Sequence, residues 1–196
     1  MITLFEQFKN KNYNIADLVY DYYKDNDIFT IHKDDDLSKD DIYKAINDCQ
    51  DVDVYSMKKI KDYTALQFAI NRDDIDMVEH LLKNGANPNI PSTSYIFPLI
   101  SAVEFENFKI VKLLINYGAN PNIRNDLNTP LIVSFKKTNI LIIKYLLPIS
   151  DWSITNKEGK DIFDYMDNDY KKTIIKQYSE KYQEYLRQKK ANEFNL

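Results

Sequence analysis

The chain is poor in the residues from which disulfides, metal sites and phosphate-binding loops are built. Its 196 residues include one cysteine, two histidines and three glycines. Cys49 alone cannot form an internal disulfide or a thiolate zinc site, and its isolation favours a reducing compartment. His32 and His80 form no spaced metal-binding pair, and three separated glycines cannot cradle a phosphate. We therefore expect no enzyme, no metal, no cofactor and a cytoplasmic location.

Long apolar segments are also missing. No run approaches the roughly 18 residues of a membrane-spanning helix, and the most apolar stretch, Ile140–Ile143, is followed at once by Lys144. The first 30 residues contain no apolar core behind a basic end, so no secretory signal is expected. These absences predict no membrane partner.

Acidic side chains are concentrated in the first third of the chain. Residues 1–60 carry 8 lysines against 13 Asp and Glu, whereas residues 61–196 carry 18 Lys and Arg against 17 Asp and Glu. This asymmetry favours a basic partner at the N-terminal end. Basic pairs such as Lys58-Lys59 and Lys136-Lys137 are scattered along the chain, so binding of nucleic acid is not expected.

One stretch of sequence occurs twice. Gly85–Ile90 returns unchanged at Gly118–Ile123, 33 residues later. Val-x-x-Leu-Leu at 78–82 precedes the first copy, and a matching segment at 111–115 precedes the second. A fixed period between about 20 and 50 residues is the signature of stacked repeats. All three glycines fall at turns of this pattern, which indicates turns that need either a positive φ or a residue without a Cβ.

Each copy has the pattern of a short helix, a turn and a longer helix. Thr64 is predicted to cap the first helix of the best-matched copy, with Leu66 in the core. Ser150 stands where the third copy would have its turn glycine. The core-facing residues predicted on the second helices are Ile75, Val78, Leu81 and Leu82, then Ile110, Val111, Leu114 and Ile115, and then Ile142, Ile143, Leu146 and Leu147.

The two ends of the chain are predicted from helical periodicity alone. Residues 4–23 form a helix pair and a degenerate first repeat, with Ile15, Leu18, Val19 and Tyr22 on one face. Residues 38–56 form a shortened second repeat, whose helix is capped by Ser38 and Asp41. A single C-terminal capping helix carries one apolar stripe at Tyr170, Ile174, Tyr178, Tyr182 and Leu186.

Thr129-Pro130-Leu131, the Val-x-x-Leu-Leu segments and the paired Gly-Ala-Asn-Pro-Asn resemble ankyrin repeats. The resemblance implies an all-α, ankyrin-type helical repeat solenoid with a concave face and short β-hairpin-like fingers. We expect one ankyrin repeat domain over residues 1–196. Its parts would be degenerate N-terminal repeats at 1–56, core repeats at 57–90, 91–123 and 124–156, and a partial repeat with a C-terminal capping helix at 157–196.

This sequence departs from the family pattern at three kinds of position. The family's histidine after Thr-Pro-Leu is replaced by Gln67, Ile100 and Ile132. The glycine between the two helices is replaced at or near Asp73, Glu106 and Thr138. The loop between Asn122 and Leu131 is one residue short. The hydrogen bonds of the missing histidines must therefore be absent or replaced.

Ankyrin repeats bind proteins and rarely catalyse reactions, so the resemblance implies a non-enzymatic protein-binding module. A small inhibitor or adaptor fits, for example an immunity protein that neutralises a toxin. The alternatives are a viral or intracellular-bacterial effector that captures a host protein inside the host cell, and a self-associating structural protein. The chain would be a monomer or a weak homo-oligomer.

The contact residues that the resemblance implies lie at finger tips and on first-helix faces. Ile96 and Phe105 stand out among them because exposed apolar side chains mark contact patches. The full set is Ile60, Lys61, Tyr63, Asn71, Arg72, Thr93, Ser94, Ile96, Glu104, Phe105, Asn125, Asp126, Asn128, Lys136, Lys137, Lys157, Glu158 and Lys160.

Overall fold

The computed structural model describes residues 14–25, 38–49, 51–53, 63–92, 95–125 and 127–194. The first helix predicted within residues 4–23, as well as His32, lies outside these ranges. Within them the chain contains ten α-helices, one 3-10 helix and no strand, which confirms the predicted all-α class. The α-helices are α1 (Ile15–Asp25), α2 (Lys39–Asn47), α3 (Ala65–Asn71), α4 (Ile75–Lys83), α5 (Pro98–Glu104), α6 (Phe108–Asn116), α7 (Pro130–Lys136), α8 (Ile140–Leu146), α9 (Asn168–Gln177) and α10 (Ser179–Phe194), with the 3-10 helix at Ile162–Tyr165.

The first compact unit lies within Met1–Ala102 and Lys109–Ala119. In it α1 packs against α2 and α3, and α4 packs against α2 and α3. The sequence analysis assigned α1 and α2 to separate degenerate repeats, and the division of residues 1–56 into repeats stays a prediction. Ile15, Leu18 and Val19 are fully buried as predicted, and Tyr23 joins them in place of Tyr22.

The helix starts of this unit agree with the sequence prediction. Ser38 and Asp41 form the predicted capping box, and the Thr64 hydroxyl accepts a hydrogen bond from Gln67 N. Among the predicted core-facing residues, Ile75 and Ile115 are only half-buried. Met77 is fully buried instead of Ile75. Ile75 is the first residue of α4, where a side chain leans past the end of its own helix.

The second compact unit lies within Val103–Phe108 and Asn120–Leu196. In it α7 packs against α8 and the 3-10 helix, and α9 packs against α10. The four predicted core residues of α8 and its cap, Ile142, Ile143, Leu146 and Leu147, are buried. Asp161 caps the 3-10 helix with a capping box to Asp164. A single short turn of helix therefore stands where the partial repeat would begin.

The C-terminal region is two helices, and the prediction of one helix with one stripe was wrong. The helix breaks at Tyr178, and beyond this break Tyr185 is buried while Leu186 is half-buried. The break rotates the following helix, so a stripe extrapolated from α9 does not continue along α10. The ring of Trp152 lies 5.9 Å from Phe163 and 5.8 Å from Tyr178.

A buried carboxylate ties α10 to the rest of this unit. Tyr185 Oη donates to Asp161 Oδ2 at 2.8 Å, and Lys189 Nζ donates to the same oxygen and to Tyr185 Oη at 2.9 Å each. The hydrogen bonds that Lys189 donates, first to Tyr185 and then to Asp161, hold its pKa above the usual range. The pair keeps Asp161 compensated in a site that is only 4% exposed.

A recurrent turn follows each second helix whose turn the structure describes. The side-chain Oδ1 atoms of Asp51, Asn87, Asn120 and Asp151 each accept a hydrogen bond from the backbone N two residues later, at 2.8–3.0 Å. This Asx turn is a local alternative to helix that Asn and Asp favour. Its appearance at Asp51 extends the repeat pattern upstream of residue 57.

In the first three of these Asx turns, the third residue bonds to the next turn along the chain. Asp53 Oδ1 accepts from Asn87 N at 2.9 Å, and Asn122 Oδ1 accepts from Asp151 N at 2.6 Å. Asn89 Nδ2 donates to the carbonyl of Gly118 at 2.9 Å. These contacts satisfy backbone groups that helix ends leave open, and they set the spacing between successive turns.

Ser150 occupies the place of an alanine, so its assignment to the glycine position was wrong. Ser150 N bonds to Leu146 O, just as Ala119 N bonds to Leu114 O, and both side chains are buried. Ile149 N bonds to Leu146 O as Gly118 N bonds to Ile115 O, so Ile149 takes the glycine position. The loop is one residue shorter here, which removes the need for a positive φ.

The backbone is left-handed at the three glycines and also at the residues that replace the family's glycine between the two helices of a repeat. Gly85, Gly118 and Gly159 have φ of 91°, 88° and 75°, as predicted. Asp73, Glu106 and Thr138 keep a φ of 56–58° although they are not glycines. Such a conformation is strained for L residues, most of all for a β-branched one.

In the first unit, Gln67 stands in the place of the family's histidine and makes hydrogen bonds there. Gln67 is buried, and its Nε2 donates to Ser101 Oγ at 2.9 Å and to Asn71 Oδ1 at 3.0 Å. The hydrogen bond to Ser101 joins residues 34 positions apart. A polar link between successive first helices is therefore kept at this position.

Gly118→Val is expected to lower the free energy of unfolding by about 2 kcal/mol, because valine does not tolerate a left-handed φ. A Cβ at this position would meet no atom within 4 Å, so backbone strain alone should account for the loss. Gly118→Asn is the control and should lose clearly less, since asparagine tolerates this region. Equal urea-denaturation curves for the wild type and the valine variant would contradict this interpretation.

Thr138→Gly should stabilise the chain by about 0.5–1 kcal/mol, because relief of roughly 1–2 kcal/mol of strain exceeds the extra chain entropy of glycine. The matched change Asp73→Gly should gain less, since aspartate tolerates the left-handed region better. Thermal unfolding of both variants checks this order. A lower midpoint for the glycine variant at 138 would show that the threonine is not strained.

Candidate functional site

The structure places the predicted contact residues in both compact units. Five of them lie outside the described residues: Ile60, Lys61, Thr93, Ser94 and Asp126. The first unit contains Tyr63, Asn71, Arg72 and Ile96. The second unit contains Glu104, Phe105, Asn125, Asn128, Lys136, Lys137, Lys157, Glu158 and Lys160.

Within the described ranges, a finger follows three of the Asx turns, and each finger is closed by a backbone hydrogen bond. Ser92 N bonds to Ile96 O and Asn156 N bonds to Lys160 O, both at 2.9 Å. The finger between them is shorter, with Asn125 N bonded to Asn128 O at 3.3 Å. This shorter closure accounts for the missing residue between Asn122 and Leu131. The fingers are closed turns without strands in the described part of the chain.

The finger of the first unit ends in two exposed apolar side chains. Tyr95 is 65% exposed and Ile96 is 36% exposed. Tyr95 has a φ of 57°, in the position that Gly159 occupies, at 75°, in the last finger. Sequence reasoning selected Ile96 and missed Tyr95. A sequence alignment of residues 92–96 with residues 156–160 would have found Tyr95, because it places this tyrosine at the position of Gly159.

The other described members of the first unit are partly engaged in packing. Tyr63 is half-buried, and its ring lies edge-on to Phe68 at 5.4 Å. Asn71 accepts the hydrogen bond from Gln67, and Arg72 is exposed at the end of α3. Tyr63 and Asn71 thus support the first-helix face as well as forming part of it.

In the second unit, Glu104 and Phe105 lie at the end of a first helix. Phe105 is 58% exposed, which makes it one of the most exposed large apolar side chains of the described chain. The next residue, Glu106, is held left-handed, and its carboxylate accepts from Asn139 Nδ2 at 3.2 Å. The tight turn therefore projects Phe105 into solvent.

The last finger gathers several predicted residues around one carboxylate. Lys160 Nζ lies 3.0 Å from Glu158 Oε2. The hydrogen bond and charge of Lys160, followed by the charges of Lys136 and Lys157, hold the pKa of Glu158 below its usual value. The pKa of Lys160 is raised in turn by Glu158. All four side chains are exposed.

Two residues beneath this finger hold Lys136 in place. Lys136 Nζ donates to Asn128 Oδ1 at 2.8 Å and lies 5.6 Å from the centre of the Tyr165 ring. Asn128 is only 8% exposed, so it supports Lys136 and offers little surface of its own.

Sequence reasoning missed Tyr165 and Arg124 in this region. The Tyr165 hydroxyl accepts from Asn156 Nδ2 at 2.9 Å, and Arg124 Nη1 donates to the carbonyl of Thr155 at 3.3 Å. Arg124 directly follows the second Gly-Ala-Asn-Pro-Asn-Ile stretch, so its sequence position was a usable signal. Tyr165 gave no such signal because it lies beyond the matched repeats.

The repeating turns, helix pairs and fingers agree with a comparison to known families. A family model for ankyrin repeats, in three copies, matches residues 66–158. Residues 66–158 are ankyrin repeats. Ankyrin repeats indicate a protein–protein interaction module and are generally non-enzymatic binding scaffolds. No curated protein matches the chain significantly.

Two further observations concern other kinds of site in this ankyrin repeat protein. Over the residues that the structure describes, no helix has the length and apolar character to cross a membrane. Over the same part of the chain, no three His, Cys, Asp or Glu side chains gather as metal ligands. His80 is instead stacked on Tyr43, with ring centres 4.1 Å apart.

Proposed function

We propose that this ankyrin repeat protein is a small inhibitor or adaptor without enzymatic activity. It binds a partner protein through its finger tips and first-helix faces, within one repeat domain over residues 1–196. The observation that carries the proposal is Tyr95, an exposed aromatic side chain on a left-handed backbone. A tyrosine at φ 57° that is 65% exposed contributes little to folding.

The energetics of Tyr95 favour a role in binding. A left-handed L residue costs roughly 1–2 kcal/mol, and such strain persists mainly where function requires it. Tyrosine is enriched among residues that dominate binding energies, because it combines a large apolar ring with a polar end. Ile96 stands beside it, so the tip offers an apolar anchor pair to a pocket on the partner.

We infer that the partner is a toxin that the protein neutralises in the cytoplasm of the source cell. The charge of the first unit supports a basic partner, since Met1–Ala102 and Lys109–Ala119 carry 13 Lys and Arg against 18 Asp and Glu. A field of this sign accelerates association with a basic protein. An effector that captures a host protein would use the same surface, and the identity of the captured partner distinguishes the two.

The self-associating alternative has less support. It requires free tyrosines on the C-terminal helices, but Tyr182 and Tyr185 lie 5.5 Å and 4.8 Å from the ring of Phe163. Those rings are thus engaged within their own unit. Solution mass at several protein concentrations tests this alternative, and a mass that rises with concentration would favour it.

Tyr95→Gly is expected to fold at least as stably as the wild type while binding the partner at least about tenfold more weakly, because it relieves strain and removes the anchor ring. The measurement is co-expression with neighbouring gene products, pull-down, and titration of the captured protein. Tyr117→Ala is the control, since Tyr117 is exposed outside the fingers of the same unit. Unchanged affinity of the glycine variant would remove Tyr95 from the interface.

Ile96→Asp should also leave folding nearly intact and weaken capture of the partner. Its backbone bonds to Ser92 do not involve the side chain, and a carboxylate in an apolar pocket is costly. Ile149→Asp is the matched control, because Ile149 is similarly exposed at 42% but lies outside the fingers. Gross unfolding of the variant at 96, seen by circular dichroism, would show that Ile96 belongs to the core.

A further inference from the structure

We propose that the second unit binds an acidic segment of the partner protein through a cationic patch formed by Arg124, Lys136, Lys157 and Lys160. This inference rests on the proposed protein-binding function and adds the chemistry of the segment that is bound. All four side chains are exposed, and they come from two fingers and one first helix of the same unit.

The cations lie around the last finger. Lys160 Nζ pairs with Glu158 Oε2 at 3.0 Å, and the charges of Lys136 and Lys157 also lower the pKa of that carboxylate. Arg124 crosses from the preceding finger to the carbonyl of Thr155, next to the residue that opens the last finger. The carboxylates of Glu158 and Asp164 also face Lys160. The described patch therefore has four positive and two negative charges.

Lys136 is held in position before any partner arrives. The buried Asn128 accepts from its ammonium group, and the Tyr165 ring lies beneath it. Asn128 is fixed by its own backbone N, which donates to Asn125 Oδ1 at 2.8 Å. Ordering a lysine on binding normally costs side-chain entropy, so a lysine that is already placed binds an anion more favourably.

Glu158 occupies the patch as a weak internal competitor. It is exposed, and an exposed ion pair contributes only about 0–1 kcal/mol, so an incoming carboxylate can replace it. Lys160, which pairs with Glu158, would then be released to the partner. Removal of the Glu158 charge should consequently strengthen binding of an acidic peptide.

The same geometry favours a peptide over a nucleic acid. Single-stranded nucleic acid needs a continuous positive groove and aromatic faces on which bases stack. Here two carboxylates interrupt the cations, and Lys136 already covers the Tyr165 ring. Separated carboxylates on a peptide can meet separated lysines, whereas a regular row of phosphates would also meet Glu158 and Asp164.

The test measures fluorescence anisotropy of a labelled peptide of alternating Glu and Gly, about a dozen residues long, titrated with the full-length protein. The comparison peptide has Gln in place of Glu. The double variant Lys157→Gln/Lys160→Gln is expected to lower the association constant about 5- to 20-fold. This estimate assumes that each exposed charge pair contributes about 2- to 5-fold. Lys176→Gln/Lys190→Gln is the control, with the same change in net charge at exposed sites on α9 and α10, and should change it less than about twofold.

Glu158→Gln should have the opposite effect, because it removes the competing carboxylate. It is expected to raise the association constant for the Glu peptide roughly 2- to 5-fold. Arg124→Gln should weaken binding if the peptide spans both fingers. All variants alter exposed side chains, and unchanged thermal unfolding verifies that each is folded. Equal losses in the cluster and control variants, or equal binding of the Glu and Gln peptides, would overturn the proposal.

Three further outcomes keep the conclusions separate. Tighter binding of a single-stranded oligonucleotide of equal charge, lost in the same lysine variant, would overturn the peptide in favour of nucleic acid. A partner captured by the wild type, lost with Tyr95→Gly and retained with Lys157→Gln/Lys160→Gln, would overturn this inference alone and leave the proposed function standing. Binding of the Glu peptide without capture of any partner would overturn the proposed function and leave the cationic patch standing.

Discussion

Side-chain oxygens close the turn after each described second helix, and the placement of the fingers depends on this interaction. Asn87 and Asn120 close their own turns, while Asp53 and Asn122 accept hydrogen bonds from the turn that follows. Hydrogen bonds between neighbouring turns fix distances more tightly than apolar contact, which is not directional. The fingers start directly after these turns, so their tips are carried on an ordered base.

Left-handed backbone positions in this chain fall into two physical classes. At Asp73, Glu106 and Thr138 the conformation is imposed by the two helices that each residue joins, and the surrounding packing outweighs the strain. At Tyr95 the conformation is imposed by the hydrogen bonds that close the finger, and the side chain is 65% exposed. A glycine would adopt this conformation without strain, as Gly159 does in the last finger, which is why the tyrosine directs attention to a partner.

Charged and aromatic groups are divided between structural and surface roles. Asp161, Tyr185 and Lys189 form a closed set, in which the buried carboxylate is fully compensated. The rings of Trp152 and Phe163 pack against Tyr178, Tyr182 and Tyr185, so these three tyrosines are engaged within their own unit. The lysines around Glu158 are different, because three of them share one exposed carboxylate and retain a net positive charge.

The amino-acid sequence alone determined the repeat, its helices, most of their buried faces and the glycine turns, because these follow from local periodicity and from backbone conformations that few residues adopt. It did not determine that α1 pairs with α2, that α10 turns away at Tyr178, or that Asn128 is buried beneath Lys136. Those features depend on contacts between residues distant in sequence, which periodicity does not encode. Tertiary structure likewise decided which predicted contact residues meet: it gathered Lys136, Lys157, Glu158 and Lys160, and it added Tyr95, Arg124 and Tyr165, because exposure and charge proximity exist only once the chain is folded.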